Sequence, residues 1–275
     1  MPPPDKYTTT ILPPPGSQQP LTLPTPESPS PPTNPPFFND ALSVRLEVFV
    51  DEQNCPAEFE IDDDDARSWQ WVLYHTKSEP EPDSESESGS GSGPGPGSGP
   101  GKNAVPVGVV RLVPPPHASH EGFVAAFAPA PVDTDTGTEP PAAAAAAAAA
   151  PRAVTAAGYD LDHEPYIKFG RVAVLSSYRG NGLARQLMET AMGWAEKNAG
   201  VMTAAFEGVF HRERARLGLE PAQPPAWKGL TLVHAQVEVE GLYKRLGFVT
   251  DERLGRWVEE GIEHVGMWKR LHVSG

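Results

Sequence analysis

Arg179-Gly180-Asn181-Gly182-Leu183-Ala184 sets two glycines two residues apart, between a β-branched run and an amphipathic segment. Backbone N–H groups that converge on one point, with a helix N-terminus behind them and glycines where a side chain would block approach, form a cradle for phosphate. Arg179 can add a charge-assisted contact to phosphate oxygens. A Walker loop needs lysine and a hydroxyl residue after its second glycine, where Leu183 and Ala184 stand. A dinucleotide fingerprint needs glycine or alanine at position 185, where Arg185 stands. Both readings lose support. Glycine turns before helices also occur for purely structural reasons, so the loop needs its context.

The elements that must position this loop follow from periodicity. Pro165 to Val174 is rich in Ile, Phe and Val and predicts the strand entering it. A helix from about Asn181 to Asn198 places Leu183, Leu187, Ala191, Trp194 and Ala195 on one stripe. Further strands are expected at 69–74, 105–113 and 230–235, with Pro106 marking an edge or a strand start. A helix over 37–53 takes its start from Asn39 or Asp40, and another over 238–246 ends at Gly247 in the left-handed region. Residues 256–258 and 263–271 suggest a closing hairpin. The acidic run 62–65 lacks the spaced glycine and distal glutamate of a calcium loop and reads as a solvated turn, so no metal is assigned.

Composition bounds the rest. The chain has 275 residues, of which 33 are proline and 26 glycine, so much of it cannot be packed core. Residues 1–36 read as a mostly disordered, proline-rich segment with a candidate first strand at 6–12. Residues 37–275 read as a single domain interrupted by disordered insertions at about 78–101 and 114–158, the second holding an alanine tract. Such insertions at loop tips leave the domain foldable, because closure entropy grows only logarithmically with length. A net charge of −14 opposes nucleic acid as a partner and favours cationic or amine ligands. With one cysteine, Cys55, no intrachain disulfide is possible. The ends carry no secretory pattern and no stretch has the length of a membrane span, so a cytoplasmic or nuclear protein without a membrane partner is expected.

Arg-x-x-Gly-x-Ala after a Val-x-Val strand resembles the coenzyme A loop of the GNAT superfamily of N-acyltransferases. Tyr243-Lys244-Arg245-Leu246-Gly247-Phe248 resembles that family's second signature, and the two occur in the family's order. Val48-Phe49-Val50-Asp51-Glu52-Gln53-Asn54-Cys55-Pro56, Phe169-Gly170-Arg171-Val172 and Glu260-Gly261-Ile262-Glu263-His264-Val265-Gly266-Met267 are similar to the ElaA-like subgroup. The resemblance implies an α/β fold, a mixed and mostly antiparallel sheet flanked by helices, with two central strands splayed to admit acyl-CoA. It implies that backbone groups of Val172, Ala173 and Val174 pair with the pantetheine arm, and that Arg179, Gly180, Asn181, Gly182, Leu183 and Ala184 hold the pyrophosphate of acetyl-CoA. An amine is then the acceptor.

Acyl transfer to an amine needs a neutral nucleophile, a polarised thioester carbonyl and a proton for the departing thiolate. Tyr243 is similar in position to the family's tyrosine acid, and a phenol can donate without ionising in the resting protein. Its alternative reading is a buried aromatic anchor. Gln236 stands where many members carry asparagine, which leaves its role open, and a lone strand histidine such as His234 is more often structural. Glu52, Glu238, Glu240 or a water relay could serve as base, and none is assigned. A second function class, a catalytically silent acyl-CoA-binding module, shares the loop.

Overall fold

The computed structural model describes residues 6–76, 103–127 and 158–273. The insertion expected at 78–101 and the alanine tract lie outside these residues.

Eight strands form one sheet among the described residues: β1 (Lys6–Leu12), β2 (Trp69–Thr76), β3 (Ala104–Val113), β4 (Ile167–Val174), β5 (Leu230–Gln236), β6 (Val249–Thr250), β7 (Arg256–Glu259) and β8 (Ile262–Arg270). They run in the order β1-β2-β3-β4-β5-β8-β6, with β7 also on β8. Every neighbouring pair is antiparallel except β4 and β5. The fold is thus the mixed, mostly antiparallel α/β sheet that the sequence implied. Pro106 sits in β3 beyond the last residue that β4 pairs, so its missing N–H costs that ladder nothing.

Helices cover both faces. On one, α3 (Leu183–Lys197) buries Leu183, Leu187, Met188, Ala191, Met192 and Ala195 against Leu73, Phe169, Val233 and Met267. Trp194 is only partly buried and meets Trp69 and Trp71 at 5.5 Å between centroids. Each fully buried side chain such as Leu187 contributes about 1.5–3 kcal/mol. Helix α4 (Ala199–Arg216) follows, in a stretch for which periodicity predicts no element. Its buried residues are Met202, Phe206 and Phe210, one per turn, a stripe too thin for periodicity to reveal.

On the opposite face, α1 (Pro36–Arg45) and a π-helical continuation (Leu46–Glu52) pack Ala41, Val44 and Val48 on Val72, Tyr74, Val109 and Ala173. The helix starts at a Pro35 cap without a side-chain hydrogen bond, so the capping expected of Asn39 or Asp40 is corrected. Asn39 instead bonds Asn34, and Asp40 accepts from the Tyr74 hydroxyl at 2.6 Å, tying the helix to β2.

Residues 13–35 hold no regular helix, yet Asn34 exchanges two hydrogen bonds with the Thr22 backbone, and Gly16 donates to the Ala66 carbonyl. Residues 114–127, grouped with the second insertion on composition, include a helix, α2 (His120–Phe127). Its anchors are aromatic and imidazole rings that a composition count overlooks: His117 bonds the Tyr166 carbonyl and His120 the Leu254 carbonyl.

The acidic run is not a solvated turn. Arg45 is fully buried and is met by Glu60 at 3.0 Å and Asp65 at 2.8 Å, while Arg111 takes Asp62 through two hydrogen bonds of 2.6 and 2.8 Å. A buried guanidinium demands such partners, and the carboxylates are drawn inward by that demand.

Candidate functional site

The β4–β5 ladder is short. Ile167 pairs Thr231, Lys168 pairs Leu232 and Phe169 pairs Val233, after which pairing stops while β4 continues to Val174 and β5 to Gln236. Beyond Phe169 one edge of β4 therefore faces a cleft, while its other edge still pairs β3 as far as Val174. Val172, Ala173 and Val174 all lie past the split.

The glycine loop stands at the open end of this cleft. Ser176–Tyr178 forms one 3-10 turn, and Gly180 and Gly182 then take φ of +82° and +76°. A residue with a Cβ is disfavoured by about 1–2 kcal/mol in that region. The space a Cβ would occupy at either glycine is open, so a ligand can approach the backbone there. Gly182 is the N-cap of α3 and provides no side-chain cap. The first N–H groups of a helix have no partners within it, and here they meet none from a cap. With the helix dipole they form a fitting seat for a pyrophosphate. Asn181 closes the loop on itself by donating to the Tyr178 carbonyl at 3.1 Å. Leu183 is buried in the core and Ala184 packs against it, so each faces the cleft only through its backbone.

Arg179 is engaged differently from a free phosphate ligand. It donates Nε to the Val174 carbonyl at 2.8 Å and Nη2 to Glu52 at 2.6 Å. Glu52 ends the π-helix, and its neighbour Gln53 exchanges amide hydrogen bonds with Gln236, Nε2 of Gln236 reaching Oε1 of Gln53 at 2.9 Å. One helix end thus touches both lips of the cleft.

Tyr243 lies on α5 (Glu240–Arg245), reached from β5 through one 3-10 turn and ended by Gly247 at φ +85°. It is buried in the same apolar cluster as Val174, Leu183 and Ala235, edge-on to Phe248 at 5.8 Å. Burial pushes its phenol well above the ordinary value and keeps it protonated.

Side chains alternate along a strand, so His234, between the core residues Val233 and Ala235, projects to the other face. There a cavity of about 550 Å³ opens between the sheet, α2, the acidic run and the β7–β8 turn. Phe123, Tyr166, Lys168, His234, Glu259 and Trp268 are among its walls. Burial drives His234 well below the ordinary imidazole value, aided by Lys168, His264, His120 and His117, so it stands neutral. Its Nδ1 is buried without a hydrogen-bond partner, as is Oε2 of Glu259. Burial also lowers Lys168 to about 8. The ammonium sits 4.0 Å from the centre of the Phe123 ring.

The structure thus gathers the expected residues around one cleft: the β4 edge, the loop and α3 N-terminus at its mouth, and Tyr243 in the cluster beneath. It adds His234, Lys168 and Glu259, which the sequence reading did not assign. Their signal was polarity at inward positions of strands, visible only once pairing fixes which face is covered. Among the described residues no group of three or more His, Cys, Asp or Glu is arranged to hold a metal ion, and no helix is long and apolar enough to cross a membrane.

Residues 145–250 match the family model for the acetyltransferase (GNAT) domain, a stretch that spans β4, the glycine loop and Tyr243. The GNAT superfamily resemblance is therefore borne out. Among solved structures, the chain is similar to an acyl-CoA N-acyltransferase from Pseudomonas aeruginosa, at 19% identity and TM-score 0.44, covering 96% of this chain and 99% of the other. It is also similar to Escherichia coli ElaA, at 17% identity and TM-score 0.41, covering 85% of this chain and 89% of the other. The search of curated proteins found no match.

Proposed function

We propose that this chain is an acyl-CoA-dependent N-acyltransferase that moves acetyl from acetyl-CoA to a primary amine by direct attack, and that its sequence motifs ally it with the ElaA-like subgroup. The observation that carries this reading is the β4–β5 ladder ending at Phe169 and Val233, with an uncapped helix N-terminus and two open glycines at the mouth of the resulting cleft. In this reading acetyl-CoA is a co-substrate. Its pyrophosphate lies on the backbone of Gly180, Asn181, Gly182, Leu183 and Ala184, and its pantetheine arm on Val172, Ala173 and Val174. Arg179 joins the phosphates by exchanging Glu52 for them, a like-for-like swap of one anionic partner for another.

Acetyl-CoA supplies an activated thioester. Tyr243, kept protonated by burial, is the group that donates a proton toward the departing sulfur. A phenol so strongly biased toward its neutral form serves as a donor, not a base. The dry cluster around it strengthens that hydrogen bond relative to water.

Mixing the protein with acetyl-CoA and primary amines, and following free thiol, tests the reading. The expected result is coenzyme A release that requires the amine. Tight acetyl-CoA binding with no release under any amine supports the alternative, a silent acyl-CoA-binding module.

A further inference from the structure

The cavity under β4 and β5 has features that restrict what amine it can take. Its volume of about 550 Å³ is that of a small-molecule site. Phe123, Tyr166 and Trp268 give it aromatic walls. The charge of each lining arginine is paired, Arg111 with Asp62 at 2.6 Å, Arg67 with Asp64 at 2.8 Å and the carbonyls of Pro114 and Pro116, and Arg171 with Glu60 at 3.5 Å and the Phe59 carbonyl at 2.9 Å, while Nε of Arg111 and Nε of Arg171 make no hydrogen bond. Other lining atoms also stand unpaired, Nδ1 of His120 among them. Oε2 of Glu259 and Nδ1 of His234 are both buried without a hydrogen-bond partner. A buried acceptor without a donor costs about 1–3 kcal/mol, which a bound donor returns.

Resting on the transferase reading above, we propose that this cavity receives the acceptor as a primary amine on an aromatic or apolar body without a carboxylate, with Glu259 holding its ammonium and His234 taking its proton. An ammonium offers the donors that Glu259 and His234 lack, and the rings accept both its charge and its apolar body. A carboxylate, as in a free amino acid, would find the charge of each lining arginine already paired and would compete with Glu259 for Lys168. The same burial that brings Lys168 down to about 8 favours loss of a proton from an amine held beside it. Around His234, the groups that bear on its charge are Lys168 on β4, His264 on β8, His120 on α2 and His117 before it. All four disfavour imidazolium, so His234 stands neutral with a ring nitrogen able to accept a proton.

His234 is also the first β5 residue past the last β4 pair, and projects to the face opposite Val233 and Ala235, which share a cluster with Tyr243. Base and acid therefore approach the split from opposite faces. The amine arrives as R–NH3+ and yields one proton through His234 to water. The free nitrogen attacks the thioester carbonyl carbon, the C–N bond forms and the C–S bond breaks. The nitrogen's second proton balances the one that the departing thiol takes up, leaving amide, thiol and one released proton.

Comparing 2-phenylethylamine with phenylalanine tests this, since the two differ only by the carboxylate. Steady-state acetylation is measured for both, alongside direct binding of each to protein saturated with coenzyme A, read by tryptophan fluorescence. The expected result is at least a tenfold higher kcat/KM and tighter binding for phenylethylamine. Glu259→Gln should raise its KM and Kd about tenfold. His234→Gln should lower kcat about a hundredfold with little change in Kd. Preference for phenylalanine or for a lysine peptide, or indifference to Glu259→Gln, overturns the acceptor assignment while leaving the transferase reading intact. Glu259-dependent binding of phenylethylamine without any acetyl transfer keeps the amine site and overturns the transferase reading together with the base assigned to His234.

Discussion

The two faces of the sheet, meeting at the same cleft, are built on opposite principles. Under α3 and α5 the packing is apolar, and Tyr243 is embedded among Val174, Leu183, Leu187 and Ala235. Under α1 and α2 the sheet is held by paired charges, Arg45 with Glu60 and Asp65, Arg111 with Asp62, and by the imidazole rings of His117, His120 and His234. The contrast separates two tasks. In the proposed reading a dry face holds the proton donor neutral, and a charged face builds a polar cavity in which Oε2 of Glu259 and Nδ1 of His234 stand unpaired.

The sharpest break in that comparison is Tyr243→Phe. The ring keeps its packing against Phe248, so the dry face should lose little stability. Catalysis should fall by about 10²–10⁴-fold in kcat, as for removal of a general acid. Steady-state rates beside a denaturant titration check both halves. Undiminished turnover would make Tyr243 a structural anchor only.

Next come two deletions that ask which face is the more brittle. Asp65→Ala leaves Arg45 buried with one partner fewer and should cost about 3–5 kcal/mol. Leu187→Ala removes a fully buried side chain from the dry face and should cost about 2–5 kcal/mol. Only the first should also loosen the cavity wall, seen as faster amide exchange in the 57–67 segment.

Acid should distinguish the faces again. His117 and His234 have folded pKa values depressed by burial, so below about 6.5 the unfolded chain binds protons that the folded one refuses. Stability should fall as the pH drops through that window, by up to about 1.4 kcal/mol per pH unit for each group. A His117→Gln, His234→Gln double variant should flatten the slope in chemical denaturation series between neutral and mildly acid pH.

The smallest expected effect is at the cleft mouth. Glu52→Gln removes the anion that holds Arg179 at 2.6 Å. Coenzyme A should then bind a few-fold tighter, a gain of less than about 1 kcal/mol for a partly exposed pair. Calorimetry reads it, and weaker binding would mean that Glu52 positions Arg179 for the ligand.

Much of this was legible before the fold. The β4–loop–α3 unit announced itself through two glycines and a strong stripe from Leu183 to Ala195, because local geometry alone demands those residues. Gly247 was readable for the same reason, and Tyr243 through its resemblance to the family's second signature. The polar face was not. Asp62 and Asp65 look like any surface acid until Arg45 and Arg111, distant in sequence, are brought beside them. His234 looked like a strand histidine until pairing with β8 and the end of the β4 ladder showed which side was open. Periodicity reports local burial. It is blind to partners that only topology supplies, and the thin stripe of Met202, Phe206 and Phe210 shows the same limit within one helix.

The central claim is that an acetyl group crosses this cleft from a thioester to nitrogen. Incubation with acetyl-CoA labelled in its acetyl group, followed by mass analysis of every small amine present, tests it most directly. The label is predicted on the amine nitrogen, in amounts equal to the coenzyme A released and abolished by a bulky residue at Gly182. Label recovered as acetate, or left on coenzyme A while the protein is saturated with it, would contradict the account.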